Sequence, residues 1–317
     1  MSLITFDRSS PPKKIMVTGG SGFVGGFIQQ ALSSENNVYG FEFIQSQVTE
    51  LRDAPGVARI CAECAPDLVI HLAAQSYVPE SFNNPRETYE INFLGTLNLL
   101  QSLKLSGFKG HLLFVGSGDM YGLVAPEALP LTENSPLKPR NPYAVSKVAA
   151  EALCYQWSQT EGMNIVMARP FNHIGPGQSE RFVVSDFARQ VMEIKLGRRP
   201  PEISVGDIDV TRDFTDVRDV VRAYLMLLLS DRENGEVYNV CSGKERSVRE
   251  ILQRLLALAK VTANISQDSA RLRPAEQRRV YGSYDKLHRA TGWQPEIALE
   301  QSLTDNLTYW ERKLKNG

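Results

Sequence analysis

Apolar residues recur along this chain in two rhythms. The runs "KIMVTGG" (14–20), "NVYGFEF" (37–43), "DLVIHLAA" (67–74), "GHLLFVG" (110–116) and "NIVMARP" (164–170) are short and continuous and predict strands. Their lack of apolar–polar alternation suits a sheet covered on both faces. Between them the spacing turns helical. Phe23, Phe27, Ile28, Ala31 and Leu32 follow the first run, and Ile91, Leu94, Leu97 and Leu100 give an inward face to a helix over 86–106. Another helix is predicted from about 142 to 161. Strand and helix alternate, so the first half predicts an α/β architecture with a doubly wound parallel sheet.

Beyond Pro170 the pattern loosens into Gly- and Pro-bearing loops, two helical stretches at 185–196 and 247–260, and one more strand, "EVYNVCSG" (236–243). The expected organisation is a loose arm over 1–13 and a dinucleotide-binding domain over 14–170 that recruits 215–240. A smaller mixed α/β substrate lobe is built from 171–214 and 241–317. The opening "MSLITFDRSSPPKK" has no long apolar core of a signal peptide, and the longest apolar run is "YLMLLL" (224–229). These features predict a cytoplasmic protein with no membrane partner.

Composition narrows the function classes. The 317 residues are 42% hydrophobic and 22% charged with net charge −1, which leaves no footprint for nucleic acid. Basic residues cluster only in "RLRPAEQRR" (271–279), suggesting a local anion site. Cys61, Cys64, Cys154 and Cys241 make no disulfide framework, and Cys61–Cys64 reads as two small residues on a helix face. His71, His111, His173 and His288 lack metal-ligand spacing, so no metal is expected.

"VTGGSGFVGG" places Gly19, Gly22 and Gly25 between a strand and a helix that starts near Phe23 and Val24. Glycines there allow a tight turn and close backbone approach to a pyrophosphate at the helix N-terminus, which predicts NAD(P)H as cofactor. Glu42, at the end of the second predicted strand, would accept hydrogen bonds from ribose hydroxyls and repel a 2′-phosphate. That leans toward NAD, with a solvated strand-end Glu as the plain alternative. Asp53 in "ELRD" is in a position to reach the adenine amino group or to be an ordinary loop residue.

In "NPYAVSKVAAE", Tyr143 and Lys147 are four apart and share a helix face. A neighbouring ammonium lowers a phenol's pKa, readying it to exchange a proton with a substrate oxygen. Upstream, "SGDMYG" ends a strand with Ser117 and puts Asp119 two residues on. Together with "HLAAQS" and "RPFNHIGPGQ", these motifs resemble the extended short-chain dehydrogenase/reductase family over nearly the whole chain.

The resemblance implies a Rossmann-like fold and action on a nucleotide sugar. It implies that Ser117 hydrogen-bonds the sugar oxygen, Tyr143 is the acid or base, Lys147 supports both Tyr143 and the ribose, and Asn92 anchors the active-site helix. The cofactor would also meet Leu72, Ala73, Ala74 and Pro170, and the substrate would meet Ser76, Asn172 and Arg181. Helices 86–106 and 142–161 would form a four-helix homodimer interface. A redox-inactive dinucleotide-binding relative is the alternative class.

Arg212 and Arg273 suit bidentate pairing with diphosphate or ribose oxygens, and Glu276 can accept from the N1–H and amine of guanine. The run "RPAE" resembles the GDP-sugar branch, implying reduction of the C4 ketone of GDP-4-keto-6-deoxy-D-mannose to GDP-D-rhamnose. Dehydration of GDP-mannose is the runner-up and 4-epimerisation the third reading. The dehydratases carry Thr-Ser-Glu where this chain has Ser117-Gly118-Asp119, and an acid one methylene shorter loses reach for an elimination. Asp119 is therefore a catalytic candidate whose role the sequence leaves open.

Overall fold

A computed structural model describes residues 13–33, 41–45, 50–230, 233–271 and 277–316. Its strands are β1 (Lys13–Thr18), β2 (Phe41–Gln45), β3 (Leu68–His71), β4 (His111–Val115), β5 (Asn164–Pro170), β6 (Asn172–Ile174), β7 (Glu202–Val205), β8 (Thr211–Asp216), β9 (Val237–Val240), β10 (Glu245–Ser247) and β11 (Asn264–Gln267). Six of them form one parallel sheet in the order β2-β1-β3-β4-β5-β9. Outside it lie the three-stranded sheet β10-β8-β6 and the pair β11-β7.

The continuous apolar runs are explained by the two faces of the large sheet. Ile15 and Val17 of β1, Leu68 and Ile70 of β3, and Val166 and Ala168 of β5 point into one core, which the helices Phe23–Ser33 and Val217–Leu229 complete. The residues between them, Met16, Val69, Ile165 and Met167, point into a second core under Ala54–Cys64, Gly95–Leu105 and Pro142–Thr160. Successive strand side chains alternate faces, so both faces must be apolar. A third core lies among the helices Val183–Lys195, Val248–Ala259 and Leu299–Asn316. Leu287 and Trp293 pack in the first core, although the chain around them continues into the third.

Two expectations change. The second strand runs over 41–45, with Glu42 paired to Lys14 toward the amino end of the ladder. In the long helix, Leu94 is exposed and the inward positions are Asn92, Thr96, Leu99, Leu100 and Leu103. The cause is a π-helical turn over Glu90–Leu94, which adds a residue to the turn and slips the phase read from Ile91 and Leu94. Cys61 and Cys64 are free thiols on the helix Ala54–Cys64, and burial pushes the Cys61 thiol up to about 12.

Candidate active site

The parallel register brings the carboxyl ends of β1, β3, β4 and β5 to one edge, with Thr18 beside His71 and Val115 beside Ala168. A cleft of about 2050 Å³ opens along that edge.

One end of the cleft is the glycine turn. Gly19 has φ +71°, and a Cβ there would stand 2.8 Å from the Ala73 nitrogen, so only glycine lets the turn lie against the loop after β3. A Cβ on Gly25 would come 2.5 Å from Gly20, so the helix Phe23–Ser33 can begin at this point only with glycine. Gly22, Phe23 and Val24 line the cleft at that helix start, with Leu72, Ala73 and Ala74 opposite. Backbone donors at a helix N-terminus next to a cradle without side chains fit a dinucleotide pyrophosphate.

Asp53 sits at the start of a helix. Its carboxylate caps the helix Ala54–Cys64 by accepting from the Gly56 nitrogen at 3.2 Å. Glu50 and Leu51, just before it, line the cleft. The ladder does not put Glu42 at a strand end, and its side chain lies outside the described residues.

The middle of the cleft holds the polar cluster. The Asn141 side chain caps the helix Pro142–Thr160 by accepting from the Ala144 nitrogen at 2.7 Å, and Pro142 supplies the first helical residue. This fixes the start of the helix so that Tyr143 and Lys147 follow, one turn apart, both on the cleft wall. Across from them β4 leads into Ser117, whose Oγ accepts from the Asp119 nitrogen at 3.2 Å and lies on the same cleft as the Tyr143 phenol.

Burial, then the Asp119 carboxylate, push the Tyr143 phenol above the ordinary tyrosine range, and Ser117 opposes them. The expected lowering by Lys147 is not what sets it. The Lys147 ammonium lies over the Phe114 ring at 4.8 Å, and burial brings it down to about 8 despite Cys154 and Glu151. Burial and the Asp119 carboxylate therefore keep the phenol protonated.

Asn92 holds this wall together. It accepts from the Gln75 nitrogen at 2.8 Å and donates to the Gln75 oxygen at 3.0 Å and to Ser146 Oγ at 2.9 Å. Ser146 in turn donates to the Tyr143 carbonyl at 2.7 Å. The neighbouring Thr96 hydroxyl donates to the Asn92 carbonyl at 2.6 Å and so accepts from His71 Nε2 at 3.0 Å. His71 Nδ1 then accepts from Thr18 Oγ1 at 2.7 Å, which assigns the neutral Nε2–H tautomer. Burial and the charge of Lys147 push His71 down to about 3, in keeping with that assignment.

Sequence reasoning named Asn92 as an anchor of this helix but missed its relay through Thr96, His71 and Thr18 and the buried pair of Glu151 and Arg169. Arg169 donates to Glu151 through Nε at 2.9 Å and Nη2 at 2.6 Å, and Nη1 reaches the Tyr121 hydroxyl at 2.9 Å. Arg169 sits in the strand read as "NIVMARP", and a lone Arg at the end of such a run was the available signal.

The far end of the cleft is lined by the third core's rim. Arg212 lines it while donating to the Gln277 carbonyl at 2.8 Å, and Arg181 lies over the Tyr77 ring at 5.5 Å. Ser76, Asn172 and Pro170 also line the cleft. A group absent from the sequence reading joins them: Asp186, 6% exposed, accepts from Arg189 at 2.7 Å and from Arg271 at 2.6 Å. Arg273 and Glu276 lie outside the described residues. Among the described residues no His, Cys, Asp and Glu cluster could hold a metal, and no helix is long and apolar enough to cross a membrane.

Comparison with known proteins supplies a family context. The family described as GDP-mannose 4,6 dehydratase matches residues 16–306. The GDP-6-deoxy-D-mannose reductase of Pseudomonas aeruginosa is 50% identical over 96% of this chain and 99% of its own. A GDP-mannose 4,6-dehydratase of Yersinia enterocolitica is 29% identical over 80% of this chain and 75% of its own. The solved structure of the Pseudomonas aeruginosa protein RMD, complexed with NADPH, superposes with a TM-score of 0.89 at 50% identity. It covers 95% of this chain and 99% of that one.

Proposed function

The chain belongs to the GDP-mannose 4,6 dehydratase family, and we propose that within it this protein is a reductase, converting GDP-4-keto-6-deoxy-D-mannose to GDP-D-rhamnose with NAD(P)H. The observation that carries the reading is the 50% identity, end to end, with a GDP-6-deoxy-D-mannose reductase. The Ser117–Tyr143 pair supports it as a two-donor site for a ketone oxygen.

The cofactor would be held by the glycine turn at Gly19, Gly22 and Gly25, by the loop Leu72–Ala74 and by Pro170. When bound, it supplies the hydride for C4. Ser117 donates a hydrogen bond to the C4 oxygen and fixes its position. Tyr143 gives that oxygen a proton as negative charge develops on it. A phenol held above its usual pKa keeps its proton in the resting site and yields it only to the stronger base that develops on the C4 oxygen. Lys147, with its pKa near 8, orients the ribose and helps offset the charge left on Tyr143. Arg212, Arg181, Asn172 and Ser76 would take the diphosphate and sugar, and Arg273 with Glu276 the ribose and guanine. Asp119 raises the phenol's pKa electrostatically, an effect that a short carboxylate can exert without reaching the sugar.

Tyr89, Leu94, Val145 and Tyr155 expose apolar surface on the helices of residues 85–105 and Pro142–Thr160. That supports a homodimer through a four-helix bundle. Free buried Cys61, Cys154 and Cys241 suit the cytoplasm.

The test is to supply GDP-mannose alone, then GDP-4-keto-6-deoxy-D-mannose with NADH or NADPH, and identify the products by NMR. Oxidation of the cofactor with conversion of the C4 ketone to a hydroxyl is expected. Consumption of GDP-mannose without added reductant would move the assignment to a dehydratase.

A further inference from the structure

Tyr224 lies on the helix Val217–Leu229, in the core shared with Ile15, Val17 and Ile28. It is fully buried, and its hydroxyl has no hydrogen-bond partner among the described residues. Phenylalanine would fill the same space without bringing an unpaired hydroxyl into it, so the oxygen calls for an explanation. The residue also lines the floor of the cleft with Tyr143 and Pro170. It is close enough for Tyr143 to add to the upward shift that burial gives its phenol.

This part of the floor belongs to the cofactor end. The first residue of the same helix, Val217, packs against Gly175, where a Cβ would meet Val217 at 2.5 Å and Phe23 of the glycine turn at 3.4 Å. The Arg212, Asp186 and Arg271 group lines the other end.

We propose that Tyr224 is a cofactor-binding residue, its hydroxyl donating a hydrogen bond to the carboxamide oxygen at the nicotinamide end of NAD(P)H. The inference rests on the reductase reading above. A phenol held protonated by burial is a donor, and Tyr143 beside it marks the reacting end of the cleft, where the acceptor the cofactor would present is its carboxamide oxygen. Backbone N–H groups serve the pyrophosphate and Lys147 the ribose, which leaves the carboxamide. A hydrogen bond there would hold the ring in one orientation over the Ser117–Tyr143 pair.

The experiment compares wild type with Tyr224→Phe in the full chain, using fluorescence titration with NADPH and with its thionicotinamide analogue, whose sulfur is a weak acceptor. Tyr224→Phe should raise the Kd for NADPH about fivefold to tenfold, the scale of one lost hydrogen bond. It should leave the analogue's Kd within about twofold and the KM for the sugar nucleotide unchanged, since the lost bond is made to neither. The cofactor-free melting temperature should stay the same or rise. Equal NADPH affinity in both proteins, equal weakening toward both ligands, or a fall of several degrees in the cofactor-free melt would each overturn the assignment. Failure of wild type to bind NADPH at all would instead overturn the reductase reading together with it.

Discussion

Glu151→Gln is the sharpest probe of what lies under the active site. Glu151 and Arg169 are 6% and 5% exposed and paired through two hydrogen bonds, at 2.6 and 2.9 Å. The substitution keeps the volume and one acceptor oxygen but strands the guanidinium charge in the core. Removing one partner of such a pair costs about 3–5 kcal/mol, and the surviving oxygen places this case near about 3. With unfolding entropy of about 2.1 cal/mol/K per residue, the 317-residue chain carries roughly 0.67 kcal/mol/K, so the melting temperature should fall by about 4–5 °C. Calorimetry on the single variants and on Glu151→Gln/Arg169→Met measures it. The double variant removes the stranded charge, and Tyr121 keeps its 2.6 Å bond to Asn239, so it should melt closer to wild type than the sum of the two losses. A Glu151→Gln melt within about 1 °C of wild type, or strict additivity in the double variant, would refute the reasoning.

Tyr143→Phe should abolish reduction while NADPH binding persists, since the proton donor is lost and the glycine turn is not. Robust turnover by this variant in a coupled absorbance assay would remove Tyr143 from its role. Burial depresses Lys147 from its usual 10.5 to about 8, so folding opposes the ammonium by about 3 kcal/mol below pH 8, and that cost fades as pH rises toward 10.5. Lys147→Met should therefore lose turnover yet melt higher than wild type at about pH 7, with the gap closing in melts taken above about pH 8. A lower melting temperature near neutral pH would contradict it. Asp119 adds to the upward push that burial gives the Tyr143 phenol, so Asp119→Asn should lower that phenol's pKa in an ultraviolet pH titration read as the difference from Tyr143→Phe in the same background. An unchanged difference titration would exclude the electrostatic role.

The sheet was legible because its strands are apolar on both faces: Met16 and Ile15 serve different cores and neither can be polar. The glycine turn was legible for a steric reason, since Gly19 and Gly25 tolerate no side chain. The long helix misled at Leu94 because a π turn has no periodic signature of its own, and the polar residue it turns inward, Asn92, belongs to no apolar pattern. Glu42 shows the limit of reading a strand end from composition, because ladder register is set by the neighbouring strand. Spacing is likewise silent on burial, the first cause acting on the Tyr143 phenol. Four residues' spacing brings Lys147 to the same helix face, and its ammonium lies over the ring of Phe114.

Asn92 spans two walls of the cleft, bonding both backbone groups of Gln75 on the loop after β3 and the Ser146 hydroxyl on the helix that carries Tyr143. Ser146 passes the tie on to the Tyr143 carbonyl. The loop beside the cofactor cradle and the helix that presents the proton donor are therefore clamped by one amide, like two jaws set by a single screw, and neither can shift without the other.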